Sequence, residues 1–228
     1  MHRKILGSLA VLVLVLSAAV SASAAYIDFT GGTITQWDGT TAVTNGTFSL
    51  QSVDYYEENG FKLDFIGPQL ASFESIVGNY YGGTNDVIHG HWATGDFGGL
   101  TEIRVTKVGG GTFDLNYFIL TSNTDTGGAA ASGKEQAFIN ASNDGTNITY
   151  SQLLPPDDWG FAGPNPQIFL GSQFDDIYWF SFTVANAVDC FGMDDFYIDE
   201  PAPSVPEPGT LMLLGSGLVG LALSRRRK

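Results

Sequence analysis

The 228-residue chain has only one cysteine, Cys190. A single cysteine excludes an intramolecular disulfide, so the fold must be stabilised by packing even in an oxidising compartment. Cys190 follows Val188 and Asp189 and precedes Phe191. Because its neighbours are mostly apolar, we expect a buried, unreactive thiol.

Positive charge is also scarce, and most of it sits at the two ends of the chain. There are 10 Lys and Arg against 24 Asp and Glu, and six of the ten basic residues lie in residues 1–4 and 225–228. The segment between these ends keeps four basic residues and all 24 acidic ones, a formal charge of −20. Such a field repels nucleic acid and anionic lipid surfaces, and we exclude nucleic acid as a partner. Divalent cations and neutral or cationic polymers are not repelled by this negative field.

Residue types that carry catalysis are few. The chain has three histidines, no Gly-x-Ser-x-Gly nucleophile elbow and no phosphate-binding Walker loop. Paired carboxylates of the glycoside hydrolase type stay possible, but in so acidic a chain some pair falls within about 5–10 Å by chance. The glutamates well inside the predicted domain are Glu57, Glu58, Glu74, Glu102 and Glu135. We therefore predict a protein that is not an enzyme, with a glycoside hydrolase as the alternative.

Two of the histidines form a possible metal-binding pair. His89 and His91 are two residues apart, so a strand would place both on one face, where they could bind zinc or another transition metal. A third ligand would have to come from Asp86 or from a more distant carboxylate. The simpler interpretation is a polar strand face that packs under a loop.

Residues 1–24 have the pattern of a secretory signal peptide. A basic start, His2-Arg3-Lys4, precedes an apolar stretch at 5–16 and a run of small residues up to position 25. Ala22-Ser23-Ala24 satisfies the small-x-small rule for signal peptidase cleavage. We therefore expect signal peptidase to remove residues 1–24, or residues 1–25 if Ser23-Ala24-Ala25 is used, and the remaining chain to be exported. The alternative is an uncleaved N-terminal anchor.

The middle of the chain has the apolar period of β-strands. Residues 61–65 and 103–108 alternate between apolar and polar, which predicts half-buried strands. The denser apolar runs at 113–120 and 177–184 predict central strands covered on both faces. Clusters of Gly, Asn and Asp separate these segments as turns. We predict one all-β domain over residues 25–199, an antiparallel β-sandwich of the jelly-roll type.

The C-terminal end combines a spacer with a short apolar run. Residues 200–209 are rich in proline and predict an extended spacer. Residues 210–228 are an apolar run followed by Arg225-Arg226-Arg227-Lys228, which predicts a marginal transmembrane helix whose basic end stays in the cytoplasm. A plain C-terminal membrane anchor would explain the apolar run and the basic end, but not the Pro-Glu-Pro triplet before them.

That triplet, Pro206-Glu207-Pro208, together with the apolar run and the terminal Arg cluster, resembles the PEP-CTERM sorting signal of Gram-negative bacteria. The resemblance implies export across the inner membrane, transient anchoring there and processing by an exosortase. The mature protein would then be at the cell surface, in the extracellular matrix or secreted.

A second resemblance concerns the end of the predicted domain. Residues 191–199, with Asp194-Asp195 between apolar residues, are similar to the last strand of lectin-like and carbohydrate-binding jelly rolls. The resemblance implies a structural calcium ion bound by Asp28 with Asp194 or Asp195, since calcium prefers carboxylate and carbonyl oxygens. Alternatively, these carboxylates cap turns and keep the strand ends solvated.

Aromatic residues suggest a carbohydrate ligand. Sugar rings stack on exposed aromatic side chains, and neighbouring carboxylates accept hydrogen bonds from their hydroxyls. Trp159 follows Asp157 and Asp158 in a proline-containing loop, so we predict it as a binding ring, with Tyr80 and Trp92 as a second rim. Alternatively, these rings fill the core. The function predicted is non-catalytic binding of extracellular polysaccharide; the alternatives are an exported glycoside hydrolase and a structural matrix protein without a specific ligand.

Overall fold

The computed structural model describes residues 24–45, 49–50, 52–67, 75–78, 87–95, 98–124, 132–155, 165–186 and 188–200. The predicted signal peptide up to residue 23 lies outside the described residues, as do the spacer from residue 201 and the predicted sorting helix. The described residues contain one helix, a single 3-10 turn at Ser172–Phe174. Within this part of the chain, no helix is long and apolar enough to cross a membrane.

The strands are numbered in chain order. They are β1 (Ala25–Ile27), β2 (Thr33–Gln36), β3 (Thr41–Val43), β4 (Ser49–Leu50), β5 (Val53–Glu58), β6 (Phe61–Ile66), β7 (Ser75–Gly78), β8 (Val87–His91), β9 (Glu102–Lys107), β10 (Leu115–Thr124), β11 (Gln136–Ser142), β12 (Tyr150–Leu153), β13 (Gln167–Phe169), β14 (Trp179–Asn186) and β15 (Cys190–Ile198).

These strands form two antiparallel sheets. Sheet A has seven strands in the order β13-β10-β15-β8-β7-β4, and β1 also pairs with β15. Sheet B has eight strands in the order β12-β11-β14-β9-β6-β5-β2-β3. The last strand, β15, is central to sheet A because β10 covers one of its sides while β8 and β1 share the other.

The inner faces of the two sheets meet in one core. Phe118 and Phe196 of sheet A pack against Phe180 and Phe182 of sheet B, with ring centroids 5.2 to 5.9 Å apart. These separations are typical of aromatic contacts in protein interiors. The packing of one sheet on the other confirms the predicted antiparallel β-sandwich.

Strand alternation explains why these residues face inward. On β6, Phe61, Leu63 and Phe65 are buried, whereas Lys62 and Asp64 are half-exposed and form an ion pair. Side chains in a strand point alternately to opposite faces, so every second residue reaches the core. The alternating segments at 61–65 and 103–108 are therefore strands of sheet B, as predicted.

The two denser apolar runs differ in how far they are covered. On β14, the four residues from Trp179 to Phe182 are all buried, and the guanidinium of Arg104 lies 4.5 Å from the Trp179 ring centre on the outer face. Strand β10 is also central, but Tyr117 and Ile119 on its outer face are only half-buried. The prediction that this strand is covered on both faces is wrong, because its outer face carries amphipathic rings that stay in contact with solvent.

Candidate functional site

Most of the site residues predicted from the sequence lie outside the described residues. They are Trp159, Asp157, Asp158 and Tyr80 for the ligand, and Pro206, Glu207 and Pro208 for sorting. Trp92 is described, and its side chain is 0% exposed within the core. A fully buried indole offers no face to a sugar ring, so the prediction of Trp92 as a binding ring is wrong. Its apolar area is part of the core instead.

The structure reveals a different group of aromatic side chains on the outer face of sheet A. Tyr26 lies opposite Tyr197, Tyr197 opposite Tyr117, and Tyr117 opposite Phe169. The four residues therefore occupy directly paired positions on β1, β15, β10 and β13. We call Tyr26, Tyr197, Tyr117 and Phe169 the aromatic row.

Strand alternation places the aromatic row outside. Ile27, Phe196, Phe118 and Ile168 are the sequence neighbours of its four members, and all four are buried in the core. The members of the row consequently point to the opposite face. Two of them are exposed at the ends of the row, Tyr26 by 37% and Phe169 by 59%.

Ring geometry divides the row into a centre and two ends. Tyr117 and Tyr197 are stacked at 3.8 Å with an angle of 17° between their planes, so each covers a face of the other. Tyr26 is 4.6 Å from Tyr197 and tilted by 49°, and Phe169 is 5.2 Å from Tyr117 and tilted by 35°. The end rings are thus the ones with faces available for a ligand.

The hydroxyl groups of Tyr26 and Tyr117 are hydrogen-bonded, and their pKa values are raised. Tyr26 donates its hydroxyl to Oδ1 of Asp195 at 2.6 Å. Partial burial, and then this hydrogen bond, raise the pKa of Tyr26 well above its ordinary value. Burial and the hydroxyl of Tyr197 likewise raise the pKa of Tyr117. These two phenols therefore keep their protons at physiological pH; the Tyr26 proton is donated to Asp195, and each phenol oxygen can still accept a hydrogen bond.

A β-bulge brings Asp195 to the row. Between the pairs Tyr117–Tyr197 and Ile119–Asp194, strand β15 has one residue more than β10. Asp195 has φ 49°, a left-handed conformation that non-glycine residues rarely adopt. Its backbone N–H donates to Oδ1 of Asp194 at 2.9 Å. Bulges of this kind redirect a side chain and are frequent beside functional sites.

The carboxylate of Asp28 interacts through its charge with two others, those of Asp195 and Glu58. Asp28 accepts a hydrogen bond from the backbone N–H of Thr30 at 3.0 Å, and its charge raises the pKa of both Asp195 and Glu58, in each case after the larger effect of burial. Glu58 accepts hydrogen bonds from the backbone N–H of Phe29 and the hydroxyl of Tyr56. Burial raises the pKa of Glu58 to about 7.

The predicted calcium ligands are therefore only partly brought together. Asp28 and Asp195 interact through their charges, whereas Asp194 is 3% exposed and its carboxylate accepts the N–H of Asp195. In the described part of the chain, no group of three or more His, Cys, Asp or Glu side chains could hold a metal ion. Calcium bound by Asp28 with Asp194 or Asp195 stays a prediction.

Three of the glutamates considered for catalysis, Glu58, Glu102 and Glu135, make structural contacts. Glu102 forms two hydrogen bonds with Arg104 at 2.9 and 3.1 Å, and the buried Glu135 accepts bonds from Ser132. Glu58 supports the turn after β1, as described above, while Glu74 lies outside the described residues. The absence of enzymatic activity stays a prediction.

Sequence reasoning missed the aromatic row because it searched for aromatic residues in loops. The available signal was the alternation within strands, since Tyr26 stands between Ala25 and Ile27, and Tyr197 between Phe196 and Ile198. An aromatic residue flanked on both sides by apolar core residues points away from the core. Pairing of the four strands, however, could not be predicted from that signal.

Comparison with protein families identifies the C-terminal segment. Residues 204–228 match the PEP-CTERM protein-sorting motif. This motif implies export, anchoring in the membrane before processing by an exosortase, and a later location at the cell surface or in the medium.

No curated protein matches the chain. Among solved structures, it is similar to the K1 cleaved adhesin domain of Lys-gingipain from Porphyromonas gingivalis W83, with 15% identity and a TM-score of 0.40. The similarity covers 80% of this chain and 100% of the adhesin domain.

Proposed function

We propose that this protein is a non-catalytic polysaccharide-binding module of the cell surface or extracellular matrix of a Gram-negative bacterium. The observation that supports the proposal is the aromatic row, a continuous line of rings across four strands with exposed rings at both ends. A sheet face of this kind suits a linear polymer better than a small, enclosed ligand.

The chemistry of the row matches that of a sugar chain. Tyr26 and Phe169 offer tilted, exposed rings on which the CH faces of sugars can stack. Between them, the phenol hydroxyls can donate and accept hydrogen bonds, and the second oxygen of Asp195 can accept them from sugar hydroxyls. Apolar and polar contacts thus alternate along one line, as they do along a polysaccharide.

Charge narrows the class of polysaccharide. Asp195 and Asp28 lie beside the row, and the segment between the basic ends carries a formal charge of −20. Polyanionic polysaccharides would be repelled by this field. The ligand proposed is therefore a neutral or cationic matrix polysaccharide.

Retention of the full chain on insoluble neutral polysaccharides tests the proposal. Phe169→Ala removes the most exposed ring of the row without opening the core, so the fold should be kept. We expect retention to weaken roughly tenfold, which corresponds to the loss of about 1–2 kcal/mol from one stacking contact. Tyr178→Ala is the matched control, because Tyr178 is 44% exposed but does not belong to the row.

Three results would count against the proposal in different ways. If Trp159→Ala abolishes retention and Phe169→Ala does not, the loop predicted from the sequence is the binding rim and the aromatic row is not. Release of new reducing ends would favour an exported glycoside hydrolase that acts on the same polymer. Neither retention nor release would favour a structural matrix protein without a specific ligand.

A further inference from the structure

The sandwich ends beside the aromatic row. After β15, the backbone N–H of Glu200 donates to Oδ1 of Asn116 at 2.9 Å. Asn116 directly precedes Tyr117 and is the extra residue of a β-bulge in β10. Its backbone carbonyl accepts the N–H of Leu170, the residue after Phe169, at 3.0 Å. The chain therefore leaves the sandwich at the end of the row that Tyr117 and Phe169 form.

The charge of Glu200 acts on the row from this position. Burial and the hydroxyl of Tyr197 raise the pKa of Tyr117, and the negative charge of Glu200 raises it further. Solvent screens exposed charges that are far apart, so this effect indicates a short separation. The segment that begins at residue 201 consequently starts next to the rings, with no linker between them.

The composition of that segment suits an aromatic surface. Residues 201–206 have the sequence Pro-Ala-Pro-Ser-Val-Pro and carry no charge. Proline-rich segments favour the polyproline II conformation and dock on surfaces lined with aromatic side chains, and little conformational entropy is lost because φ of proline is already fixed. A segment without charge is also not repelled by Asp195 beside the row. Its proline rings can therefore pack on the exposed aromatic faces.

The length of the segment matches the row as well. The six residues at 201–206 would span about 19 Å as polyproline II, at about 3.1 Å per residue. The row crosses four strands about 4.8 Å apart, a distance of about 14 Å from end to end. Because the segment is tethered at Glu200, its effective concentration at the row is of the order of millimolar, and a weak intrinsic affinity suffices to fill the surface.

We propose that residues 201–206 of the proline-rich spacer dock on the aromatic row of their own domain. These residues lie outside the described part of the structure, and the occupant is assigned from the place where Glu200 ends and from their sequence. The docked spacer covers the exposed ring of Phe169 and competes there with polysaccharide. The competition rests on the function proposed above, whereas the docking does not.

Photocrosslinking from the row tests the docking directly. The full chain in detergent micelles carries the photoreactive residue p-benzoylphenylalanine in place of Phe169, and ¹⁴N- and ¹⁵N-labelled chains are mixed before illumination. Mass spectrometry should find position 169 joined to the peptide that contains residues 201–206 of the same chain. The same analogue in place of Tyr178, which is 44% exposed outside the row, should not join it. Crosslinks between a light and a heavy chain would assign the row to a second copy and overturn the proposal, as would the absence of any crosslink to residues 201–206.

A proline variant separates docking from proximity that the tether alone would cause. Pro201→Ser with Pro203→Ser keeps the length of the spacer and the Pro-Glu-Pro motif but removes the polyproline II preference. The crosslink yield from position 169 should fall at least about threefold. Ala202→Ser is the matched control and should leave the yield unchanged. An unchanged yield in the double variant would mean tethered proximity only and would reject the docking.

Retention on insoluble neutral polysaccharide distinguishes this inference from the proposed function. The double variant should be retained about three- to tenfold more strongly than the parent, because a larger fraction of its molecules has a free row. Retention of the parent without a crosslink to the spacer would reject the docking and keep the polysaccharide proposal. A crosslink without retention of either chain would reject the polysaccharide proposal and keep the docking. Equal retention of both chains, with the crosslink lost in the variant, would reject the competition.

Discussion

At the scale of single residues, Asp195 shows how local strain and function can be connected. Its left-handed backbone conformation costs free energy of order 1–2 kcal/mol in most residues, and Asp tolerates it better because its short polar side chain bonds locally. The conformation brings the carboxylate to the hydroxyl of Tyr26. A regular strand at this point would have no residue in that position, so the bulge is part of the candidate site.

Glu58 leads to a prediction about pH. Its folded-state pKa is about 7, above the ordinary 4.5, so the folded protein binds this proton more tightly than the unfolded chain does. The contribution of this proton to the free energy of unfolding is therefore fully present below about pH 4.5. It decreases as the pH rises to about 7, by at most about 3 kcal/mol. Glu58→Gln should reduce this decrease, as measured by urea unfolding at a series of pH values.

The control for this prediction is Glu57→Gln, on the same strand. Glu57 is only half-buried and points to the other face of sheet B. Its replacement should leave the pH dependence of the unfolding free energy close to that of the parent. A Glu58→Gln profile parallel to the parent profile between pH 4.5 and 7 would contradict the assignment of this proton to Glu58.

At the scale of elements, β15 links the core to the aromatic row. Its inner residues, Met193, Phe196 and Ile198, belong to the core. Its outer residue Tyr197 belongs to the aromatic row. Because β15 pairs with β10, β8 and β1, every outer residue on it has neighbours supplied by distant parts of the chain.

The two faces of β15 should respond differently to substitution. Phe196 is 0% exposed and contacts the rings of Phe180 and Phe182, so Phe196→Ala should lower the free energy of unfolding by about 3–5 kcal/mol. Tyr197→Phe, the next residue, removes only a hydroxyl on the outer face and should cost less than about 1.5 kcal/mol. Chemical denaturation of both variants measures the difference, and equal losses would contradict the described faces.

How far the sequence predicts these elements depends on the kind of information each requires. Alternation at 61–65 and 103–108 depends only on neighbouring residues, and it correctly predicted strands and the sandwich. The opposition of Tyr117 and Tyr197 depends on which strands pair and in what register, which no local pattern contains. The bulge at Asp195 and the burial of Trp92 are likewise set by tertiary packing, so the aromatic row emerged only from the structure.

At the scale of the whole molecule, the excess of acidic residues makes cations natural partners. Burial, and after it the charge of Asp28, raise the pKa of both Glu58 and Asp195. A divalent cation near them would relieve this repulsion. If Asp28 and Asp195 share a calcium ion of micromolar affinity, millimolar calcium should stabilise the fold by about 4 kcal/mol.

Thermal unfolding of the full chain tests the calcium prediction. Calcium added back to chelator-treated protein should raise the melting temperature in the parent but not in Asp28→Asn or Asp195→Asn. Asp38→Asn is a matched control, because Asp38 is exposed in a turn where its carboxylate accepts the N–H of Thr40, and an Asn oxygen can do the same. An unchanged melting temperature on calcium addition to the parent would contradict the prediction that Asp28 and Asp195 bind calcium.

The two ends of the chain determine where the mature protein is located, and therefore which ligands it can contact. The PEP-CTERM motif at residues 204–228 implies that an exosortase processes the membrane-anchored form. The native protein recovered from the cell surface or medium should therefore lack the basic end at 225–228, and also residues 1–24 if signal peptidase acts as predicted. Intact-mass spectrometry of that material measures both changes.

Substitution of Glu207 tests whether the sorting motif is used. Glu207→Ala removes the only charge between Pro206 and Pro208 while leaving the apolar run and its basic end unchanged, so the chain should still be exported and anchored but not processed. We expect this variant to accumulate in the inner membrane at its uncut mass. Glu200→Ala, in the same proline-rich spacer but outside the motif, is the matched control and should be processed normally. Surface protein that still carries residues 225–228 would show that the tail acts as a plain anchor.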